Sequence, residues 1–320
     1  MTSLSLERID ATLDANRSKI RKTPALSVPH VLAPTANTVV AKFELYQVTG
    51  TFKARGALAN IRERVEDARR CGVTAVSAGN HAIATAFAAA SVGANAKVVM
   101  TATAPAVRVQ RCEALGAEVV LAADVHRAFD IMDELVSNEQ RVVIHPFEGV
   151  TTAAGTAGVG RELAVEYPDL GAVVVPVGGG GLAAGVAAAI KQTLPQCKVF
   201  GVEPFGADSM FRSREAGRAL VLEKVETIAD SLGAPMALPI SFALCQEYLD
   251  DVVRVSDAAL REAMLLQHEQ LGLAVEPACA AATAAARGPL AEQLDGKRVG
   301  LIFCGSNIDH DSWHRLVSDG

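Results

Sequence analysis

Lys53 is the residue of this sequence that is best suited to covalent chemistry. It lies within residues 49–57, which read Thr-Gly-Thr-Phe-Lys-Ala-Arg-Gly-Ala, next to Phe52 and at the start of an apolar helical stretch. A desolvated lysine has a lowered pKa and a nucleophilic free amine, which is what a Schiff base to a carbonyl cofactor requires. Most lysines are solvated surface charges, so the segment alone leaves a purely solubilising role open.

Four consecutive glycines form a second candidate site. Gly178, Gly179, Gly180 and Gly181 follow a predicted strand, and a predicted helix begins directly after them at Leu182. Consecutive glycines let several backbone N–H groups point at one ligand, and the helix N-terminus adds a positive dipole end. These features predict a phosphate-binding turn, named the 178–181 turn. It does not match G-x-G-x-x-G and lacks the Walker lysine, and a simple tight turn is the alternative.

A second strand-to-helix turn offers polar groups instead. It consists of Ser77, Ala78, Gly79, Asn80 and His81 and is named the 77–81 turn. A hydroxyl, a side-chain amide and free N–H groups at a helix N-terminus suit a carboxylate ligand, although Asn80 could simply cap the helix. No proton-transfer role is predicted for His81, because a single histidine is more often structural.

Cys304 stands at the carboxyl end of a further predicted strand and is followed by Gly305, Ser306 and Asn307. In open α/β sheets, ligands bind at this end of the strands. The commoner fate of a lone cysteine is to fill the core, and the segment alone leaves both readings open.

The elements that must position these residues alternate between strands and helices. Strands are predicted at residues 73–76, 97–100, 118–121, 142–144, 172–177, 198–202, 251–255 and 297–303, and helices at residues 54–69, 82–92, 105–115, 124–138, 182–191, 257–271 and 277–286. This alternation predicts an α/β fold with open, mainly parallel sheets. We expect a small domain at residues 41–140 and a large domain formed by residues 1–40 and 141–320.

Composition excludes several classes of function. The chain has 320 residues and a net charge of -6 without long runs of one sign, so a nucleic-acid partner is not expected. The N-terminus lacks the pattern of a secretory signal, and no apolar stretch is long enough to span a bilayer. The six cysteines are scattered without a C-x-x-C pair, which disfavours zinc or disulfides and favours a reducing cytoplasm.

Eight segments, taken in order along the chain, match the motifs of one enzyme family. They are residues 42–44 with Gln47, residues 49–57, 77–82, 178–182, 201–204, 227–230, 275–277 and 304–307. In these segments the chain resembles the serine/threonine dehydratases among the pyridoxal-phosphate enzymes of the tryptophan-synthase-β-like group, fold type II. The likeness runs from about residue 20 to the C-terminus, and the ordered set is specific although each motif alone is weak.

The resemblance implies a fold and a role for each segment. It implies two open parallel-sheet domains with pyridoxal 5′-phosphate in the cleft between them, and a homodimer or higher homo-oligomer. Lys53 would hold the cofactor and Phe52 would pack near its ring, Asn80 would bind the 3′ oxygen, and Cys304 would face the pyridine nitrogen. The 178–181 turn with Leu182 would bind the phosphate, and the 77–81 turn would receive the carboxylate of a small amino-acid substrate.

The resemblance also implies a reaction. Lys53 would remove the Cα proton of an L-β-hydroxy amino acid, L-threonine or L-serine above all, and the products would be a 2-oxo acid and ammonia. A neutral Cys304 thiol would leave the pyridine unprotonated, which suits prompt elimination better than transamination.

Departures from the family pattern keep other substrates and reactions open. After the residues that match His81-Ala82, the usual dehydratases of the family continue with Gln-Gly, whereas this chain has Ile83-Ala84. The difference fits another β-hydroxy amino acid, of the hydroxyaspartate, phenylserine or ectoine-pathway type. Racemases of the family carry a serine where Ala78 stands, so racemisation is disfavoured. The 77–81 turn also disfavours a β-replacement synthase, and the complete set of motifs disfavours a non-enzymatic binding protein.

A cation site is a further expectation from the resemblance. Several relatives bind a cation through a glutamate, the backbone carbonyl four residues on and an aspartate six residues on. Glu203 and Ala207 fit this pattern, but the last position is Ser209, with Asp208 beside it. A site for Mg²⁺, Ca²⁺ or K⁺ and a loop without metal are equal alternatives.

Overall fold

Two open sheets, each covered by helices, organise this protein, which is described here from a computed structural model covering residues 4–318. The strands are β1 Ala25–Ser27, β2 Thr38–Phe43, β3 Val73–Val76, β4 Ala96–Thr101, β5 Glu118–Ala122, β6 Val142–Val143, β7 Ala172–Pro176, β8 Lys198–Pro204, β9 Asp251–Val255 and β10 Arg298–Phe303.

The helices lie between these strands and on both faces of the sheets. They are α1 Leu6–Asn16, α2 Lys53–Glu63, α3 Val65–Cys71, α4 Asn80–Val92, α5 Ala106–Ala114, α6 Val125–Glu139, α7 Val150–Glu166, α8 Gly181–Thr193, α9 Ser209–Ala216, α10 Pro239–Tyr248, α11 Asp257–Leu271, α12 Pro277–Arg287 and α13 His310–Ser318. No helix in residues 4–318 is both long and apolar enough to cross a membrane.

The larger sheet has six strands in the order β1-β2-β10-β7-β8-β9. All neighbours are parallel except β1, which pairs antiparallel with β2 at the edge. Strand β7 is buried along its whole length, as expected for a parallel strand with helices on both faces. The 178–181 turn begins at the carboxyl end of this central strand, and Cys304 begins at the carboxyl end of its neighbour β10.

The smaller sheet has four parallel strands in the order β5-β4-β3-β6. The 77–81 turn follows β3, which lies inside this sheet, and leads into α4. Helix α4 is almost entirely buried because alanines form most of its surface. The two turns therefore lie on different sheets and meet across the cleft.

Helices α7 and α8 pack closely enough to exclude side chains at their contact. A Cβ at Gly185 would lie 2.3 Å from Thr156 Oγ1, and a Cβ at Gly160 would lie 2.6 Å from the carbonyl oxygen of Val186. Such contacts require glycine, because real Cβ atoms do not approach this closely. Helix α8, which starts at the 178–181 turn, is thereby held firmly against α7.

A buried ionic cluster fixes α2, the helix that begins at Lys53. Arg55 is 1 % exposed, and its guanidinium donates to Glu44 at 2.8 Å and to Glu162 at 2.8 Å. Lys42 Nζ donates to Glu162 at 2.6 Å, so two cations balance two carboxylates. Removing one partner would leave a buried unpaired charge, which makes the cluster a strict constraint on the placement of α2.

All eight predicted strands are present, and the α/β fold is confirmed. The predicted helix at residues 54–69 is wrong as one element, because the chain breaks at Arg64 into α2 and α3. Strand β2 belongs to the larger sheet and β6 to the smaller one, and the domain boundaries at residues 41 and 140 stay a prediction. Strands β1 and β2 and helices α7, α9, α10 and α13 were not predicted.

Candidate active site

Lys53 is the first residue of α2 and points into the cleft. Its Nζ donates to the carbonyl oxygen of Pro146 at 2.7 Å and lies 5.1 Å from the centre of the Phe52 ring. Burial lowers the pKa of Lys53 to about 8, against the opposing influence of Cys304 and Glu276. A substantial fraction of the amine is therefore unprotonated near neutral pH, as nucleophilic attack and proton abstraction both require.

The segment before Lys53 is anchored to the larger sheet. The N–H of Phe52 donates to the carbonyl oxygen of Cys304 at 3.0 Å, and Thr51 forms a β-bridge with Gly305. The amine and the carboxyl end of β10 are thus held together by backbone contacts that do not depend on any side chain.

The 178–181 turn is shaped by tight packing around it. A Cβ at Gly179 would lie 2.3 Å from the Phe147 ring, and one at Gly181 would lie 2.5 Å from the carbonyl oxygen of Phe147. Gly180 caps α8 with a φ of 92°, a left-handed conformation that favours glycine. The N–H groups of the first turn of α8 have no carbonyl within the helix to bond, so they are available to an anion.

Asn80 belongs to a network of buried polar groups at the start of α4. Its Nδ2 donates to Glu276 Oε1 at 2.9 Å and approaches Ser231 Oγ at 3.2 Å, while its Oδ1 accepts from Asn307 Nδ2 at 2.8 Å. Burial, together with the nearby Asp230 carboxylate, raises the pKa of Glu276 to about 7. The network fixes the orientation of the Asn80 amide, with its donor side toward Glu276 and Ser231.

The rest of the 77–81 turn faces an arginine and has no acid of its own. Ser77 Oγ accepts from the N–H of Gly79 at 3.2 Å, and Arg108 Nη1 approaches the Ala78 carbonyl oxygen at 3.4 Å. The same Nη1 lies 3.2 Å from Asp230 Oδ2, an ion pair that links α5 to the opposite wall of the cleft. Ala78 contributes only a methyl group, so this side of the cleft lacks a proton donor at that position.

His81 is buried and bonded to the backbone. Its Nε2 donates to the carbonyl oxygen of Ile144 at 2.7 Å. Burial and the nearby charge of Lys53 lower the pKa of His81 to about 3, so the ring is neutral at any physiological pH.

Cys304 is buried and protonated. The adjoining Cys279 thiol and burial raise the pKa of Cys304 well above its usual value. The six cysteines all lie within the described residues and all are free thiols. A neutral thiol therefore lines the cavity at this point.

Two adjoining cavities meet at Lys53. The inner one has about 470 Å³ of empty space and is lined by the 178–181 turn and by Asn80, Glu276 and Cys304. The outer one is lined by the 77–81 turn, Arg108, Pro146, Phe147, Asp230, Gly233 and Ala234. Every predicted site residue except the three cation ligands lies in or beside these two cavities, so the structure brings the predicted set together.

The comparisons with known proteins agree with this geometry. The sequence profile described as "Pyridoxal-phosphate dependent enzyme" matches residues 17–305. The chain belongs to this family. It is 48% identical to a phenylserine dehydratase from Ralstonia pickettii over 94% of this chain and 92% of that one, and 35% identical to an L-threonine ammonia-lyase from Thermotoga maritima over 99% and 79%.

A solved structure with a very similar fold is that of maize serine racemase. It has a TM-score of 0.92 and 29% sequence identity, with 99% of this chain and 98% of that chain covered. The predicted fold type II and membership of the serine/threonine dehydratase group are thus confirmed, and the protein is a pyridoxal-phosphate-dependent lyase.

The residues present suit pyridoxal phosphate. The inner cavity supplies an amine for its aldehyde, helix N–H groups without a helical partner for its phosphate and a neutral thiol on Cys304. The amide of Asn80 also lines this cavity, with its Nδ2 directed at Glu276 and Ser231. The glycines cannot be replaced without displacing neighbouring atoms, which is the sign of a turn shaped for close approach.

Sequence reasoning did not assign roles to several residues of this pyridoxal-phosphate site. Phe147, Arg108 and Ser231 line the cavities, but nothing in their local sequence distinguishes them. Glu276 could have been recognised from the sequence. It directly precedes Pro277, which begins a helix, so its carboxyl group is expected at a helix N-terminus, close to the other turns of the site.

The predicted cation ligands lie apart from the two cavities, beneath the 178–181 turn. Glu203 accepts from the N–H groups of Met210 and Phe211 at 3.0 and 2.8 Å and so caps the start of α9. Among residues 4–318, no group of three or more histidine, cysteine, aspartate or glutamate side chains is placed to hold a metal.

Proposed function

We propose that this protein eliminates water from an L-β-hydroxy amino acid with an aromatic β-substituent, of the phenylserine class, and releases a 2-oxo acid and ammonia. The relative from Ralstonia pickettii is named for such a substrate. The observation that carries the proposal is the position of the Lys53 amine, with its pKa lowered to about 8, where the inner and outer cavities meet.

The walls of the outer cavity favour an apolar β-substituent. Pro146 and Phe147 offer apolar surface on one side, and Gly233 and Ala234 leave space on the other. The guanidinium that lines this cavity, Arg108, is already paired with Asp230. A second substrate carboxylate would have to compete for that arginine, whereas a phenyl ring would only bury apolar surface.

The residues of the chain would divide the work as follows. The 178–181 turn with Leu182 would bind the cofactor phosphate, Asn80 would donate to the ring oxygen, Phe52 would pack near the ring and Cys304 would face the ring nitrogen. When bound, the cofactor withdraws electrons from the substrate Cα and so makes its proton acidic. The 77–81 turn would hold the substrate carboxylate and thereby present Cα to Lys53.

Lys53 would then take the Cα proton as the β-hydroxyl leaves. The lowered pKa of Lys53 increases the fraction of the amine that is unprotonated and able to accept the proton. Water is lost in the elimination and returned in the hydrolysis that releases ammonia, so the net change is deamination. Because Ala78 offers no proton to the opposite face of Cα, the protein would eliminate rather than racemise.

A substrate panel tests the proposal. We expect kcat/KM for L-threo-phenylserine to exceed that for L-threonine, L-serine and L-threo-3-hydroxyaspartate, measured by release of 2-oxo acid and ammonia. Ala234→Leu should lower kcat/KM for phenylserine by about tenfold or more relative to threonine, because the added side chain fills the space for the ring. Ala243→Leu in α10, which lines neither cavity, is the control with the same gain in volume.

The second candidate is a substrate with a small β-substituent, L-threonine or L-serine. It is favoured by the relative from Thermotoga maritima, which is named for threonine. A higher kcat/KM for threonine than for phenylserine, unchanged in Ala234→Leu, would establish this candidate in place of the first.

We further propose a homodimer that works in the cytoplasm. The six free thiols are consistent with a reducing compartment. Light scattering coupled to size-exclusion chromatography would measure the mass, and the mass of a monomer would contradict the dimer.

A further inference from the structure

The corner beneath the 178–181 turn departs from the cation site of the family resemblance. This corner consists of Glu203, Ala207, Asp208, Ser209 and Arg254. The resemblance assigns cation binding to a glutamate, a backbone carbonyl and an aspartate, and here the aspartate position is Ser209. Its hydroxyl is buried and has no hydrogen-bond partner, but it carries no charge. A hard cation prefers carboxylate oxygens, so the site has lost a principal ligand.

The remaining carboxylates of the corner are already matched by other groups. Glu203 accepts two backbone N–H groups of α9 with its two oxygens. Asp208 is 1 % exposed and lies 2.8 Å from Arg212 Nε and 3.0 Å from Arg254 Nη1. Burial raises the pKa of Glu203 to about 8, and Asp208 is paired with the guanidiniums of Arg254 and the adjacent Arg212. The corner therefore carries no net negative charge at neutral pH, and a divalent cation would bring uncompensated positive charge into it.

Arg254 is held where it can tie the parts of this corner together. It extends from β9, and its Cζ lies 3.9 Å from the centre of the Phe211 ring and 5.0 Å from that of Phe205. A guanidinium is weakly hydrated and stacks on aromatic rings, which suits this partly buried place between rings and a carboxylate. The side chain thus joins β9 to the turn after β8 and to α9.

The corner acts on the cofactor cradle through Met210. The N–H of Met210 is fixed by Glu203 at 3.0 Å, and a Cβ on Gly180 would lie 2.7 Å from Met210 Cε. Met210 therefore packs directly beneath the 178–181 turn. A displacement of α9 would move the support of that turn.

We propose that the guanidinium of Arg254 takes the place of the cation, so that this protein needs no metal ion to hold α9 under the cradle. The residues present do not fit a hard cation, and the arginine supplies the positive charge from within the chain. Stability and cofactor retention should accordingly be independent of divalent cations and of potassium.

The first test uses the wild-type holoenzyme, dialysed against EDTA and then titrated with MgCl₂, CaCl₂ or KCl. We expect the melting temperature and the dissociation constant of pyridoxal phosphate to stay unchanged within error, with choline chloride as the ionic-strength control. A saturable rise in melting temperature with one cation, reversed by removing it, would overturn the proposal.

The second test removes the positive charge of Arg254. Arg254→Met should lower the melting temperature and weaken pyridoxal phosphate binding by about tenfold, because Asp208 loses a partner and α9 loses its tie to β9. Arg298→Met is the matched control: Arg298 is 34% exposed against 32% for Arg254, pairs with Asp169 and lies over the Tyr167 ring. Equal effects of the two substitutions would contradict the proposal.

A pair of variants that restores the missing ligand completes the test. The double variant Ser209→Asp/Arg254→Thr should gain a calcium- or magnesium-dependent rise in melting temperature, whereas Ser209→Asp alone should gain none because Arg254 remains. An equal response in the single variant would show that the guanidinium does not exclude the cation and would overturn the proposal.

Discussion

The 178–181 turn and the 77–81 turn face the same amine but are fixed in different ways. In the first, a Cβ at Gly179 would lie 2.3 Å from the Phe147 ring, so packing alone dictates the residue type. In the second, a Cβ at Gly79 would meet only the end of Arg108, at 3.4 Å. The 178–181 turn is therefore fixed by close packing in the larger sheet, whereas the 77–81 turn is bounded by polar contacts to side chains that can move.

The largest effect should come from removing the amine that both turns serve. Lys53→Ala should reduce turnover by more than about 10⁴-fold, because the group that binds the cofactor and takes the proton is lost. Steady-state assays measure the loss, and an unchanged melting temperature would show that both turns survive. Partial recovery with added methylamine would identify the missing function as an amine, and near-normal turnover of the variant would refute the role of Lys53.

The next largest effect compares the same substitution in the two turns. Gly179→Ala should weaken pyridoxal phosphate binding by about a hundredfold, because the new methyl overlaps the Phe147 ring and overpacking costs up to about 3 kcal/mol. Gly79→Ala should leave that affinity within about twofold, because the flexible Arg108 can give way. Equilibrium dialysis measures the affinity of both variants for the cofactor. Equal losses of affinity would contradict the distinction between the two turns.

The pH dependence of reconstitution should report the titration of the Lys53 amine. The pKa of Lys53 is lowered to about 8 by burial, so the reactive neutral form is scarce at pH 6 and dominant above pH 9. The rate at which cofactor-free protein gains the visible absorbance of bound cofactor should therefore rise with pH, with a midpoint near pH 8.

Glu276 must be separated from that titration, because burial raises its pKa to about 7. The variant Glu276→Gln should remove any contribution near 7 and move the inflection of Lys53 to somewhat lower pH, because the charge of Glu276 raises the pKa of Lys53. An inflection that moves to about 10 in the wild type would mean that Lys53 is not desolvated as described.

The smallest effect concerns the face of Cα that the 77–81 turn covers. Ala78→Ser supplies a hydroxyl where the structure has a methyl group, and it should add slow exchange of the Cα hydrogen in ²H₂O together with a little D-isomer. Elimination should fall by less than about tenfold. Mass spectrometry and chiral chromatography measure the two products, and the absence of both would show that a hydroxyl there is not sufficient.

Sequence alone could predict the parts of the site whose chemistry is confined to short segments. The glycines of the 178–181 turn, the 77–81 turn and Lys53 each form a local pattern, and each lies in the cleft as expected. The contacts of Asn80 with Glu276 join residues 196 positions apart, and no local pattern reveals which distant acid will meet which amide.

The missed elements have equally physical causes. Helix α7 is so rich in alanine, glycine and threonine, and buried on so many sides, that it shows no amphipathic period. The break between α2 and α3 at Arg64 carries neither glycine nor proline, so composition gives no warning of it. In the sequence, Arg254 resembles any other arginine of a strand, and only the structure shows its contacts with Asp208 and two aromatic rings.

The anchoring of residues 51 and 52 to the end of β10 bears on how this cleft could open. Lys53 lies between two sheets along the chain, yet its backbone is tied to the larger one through Cys304 and Gly305. A rotation of the four-stranded sheet would carry the 77–81 turn away and leave the amine beside the glycines. Substrate entry and product exit would then not disturb the cofactor linkage, so the enzyme could pass through many catalytic cycles without losing its cofactor.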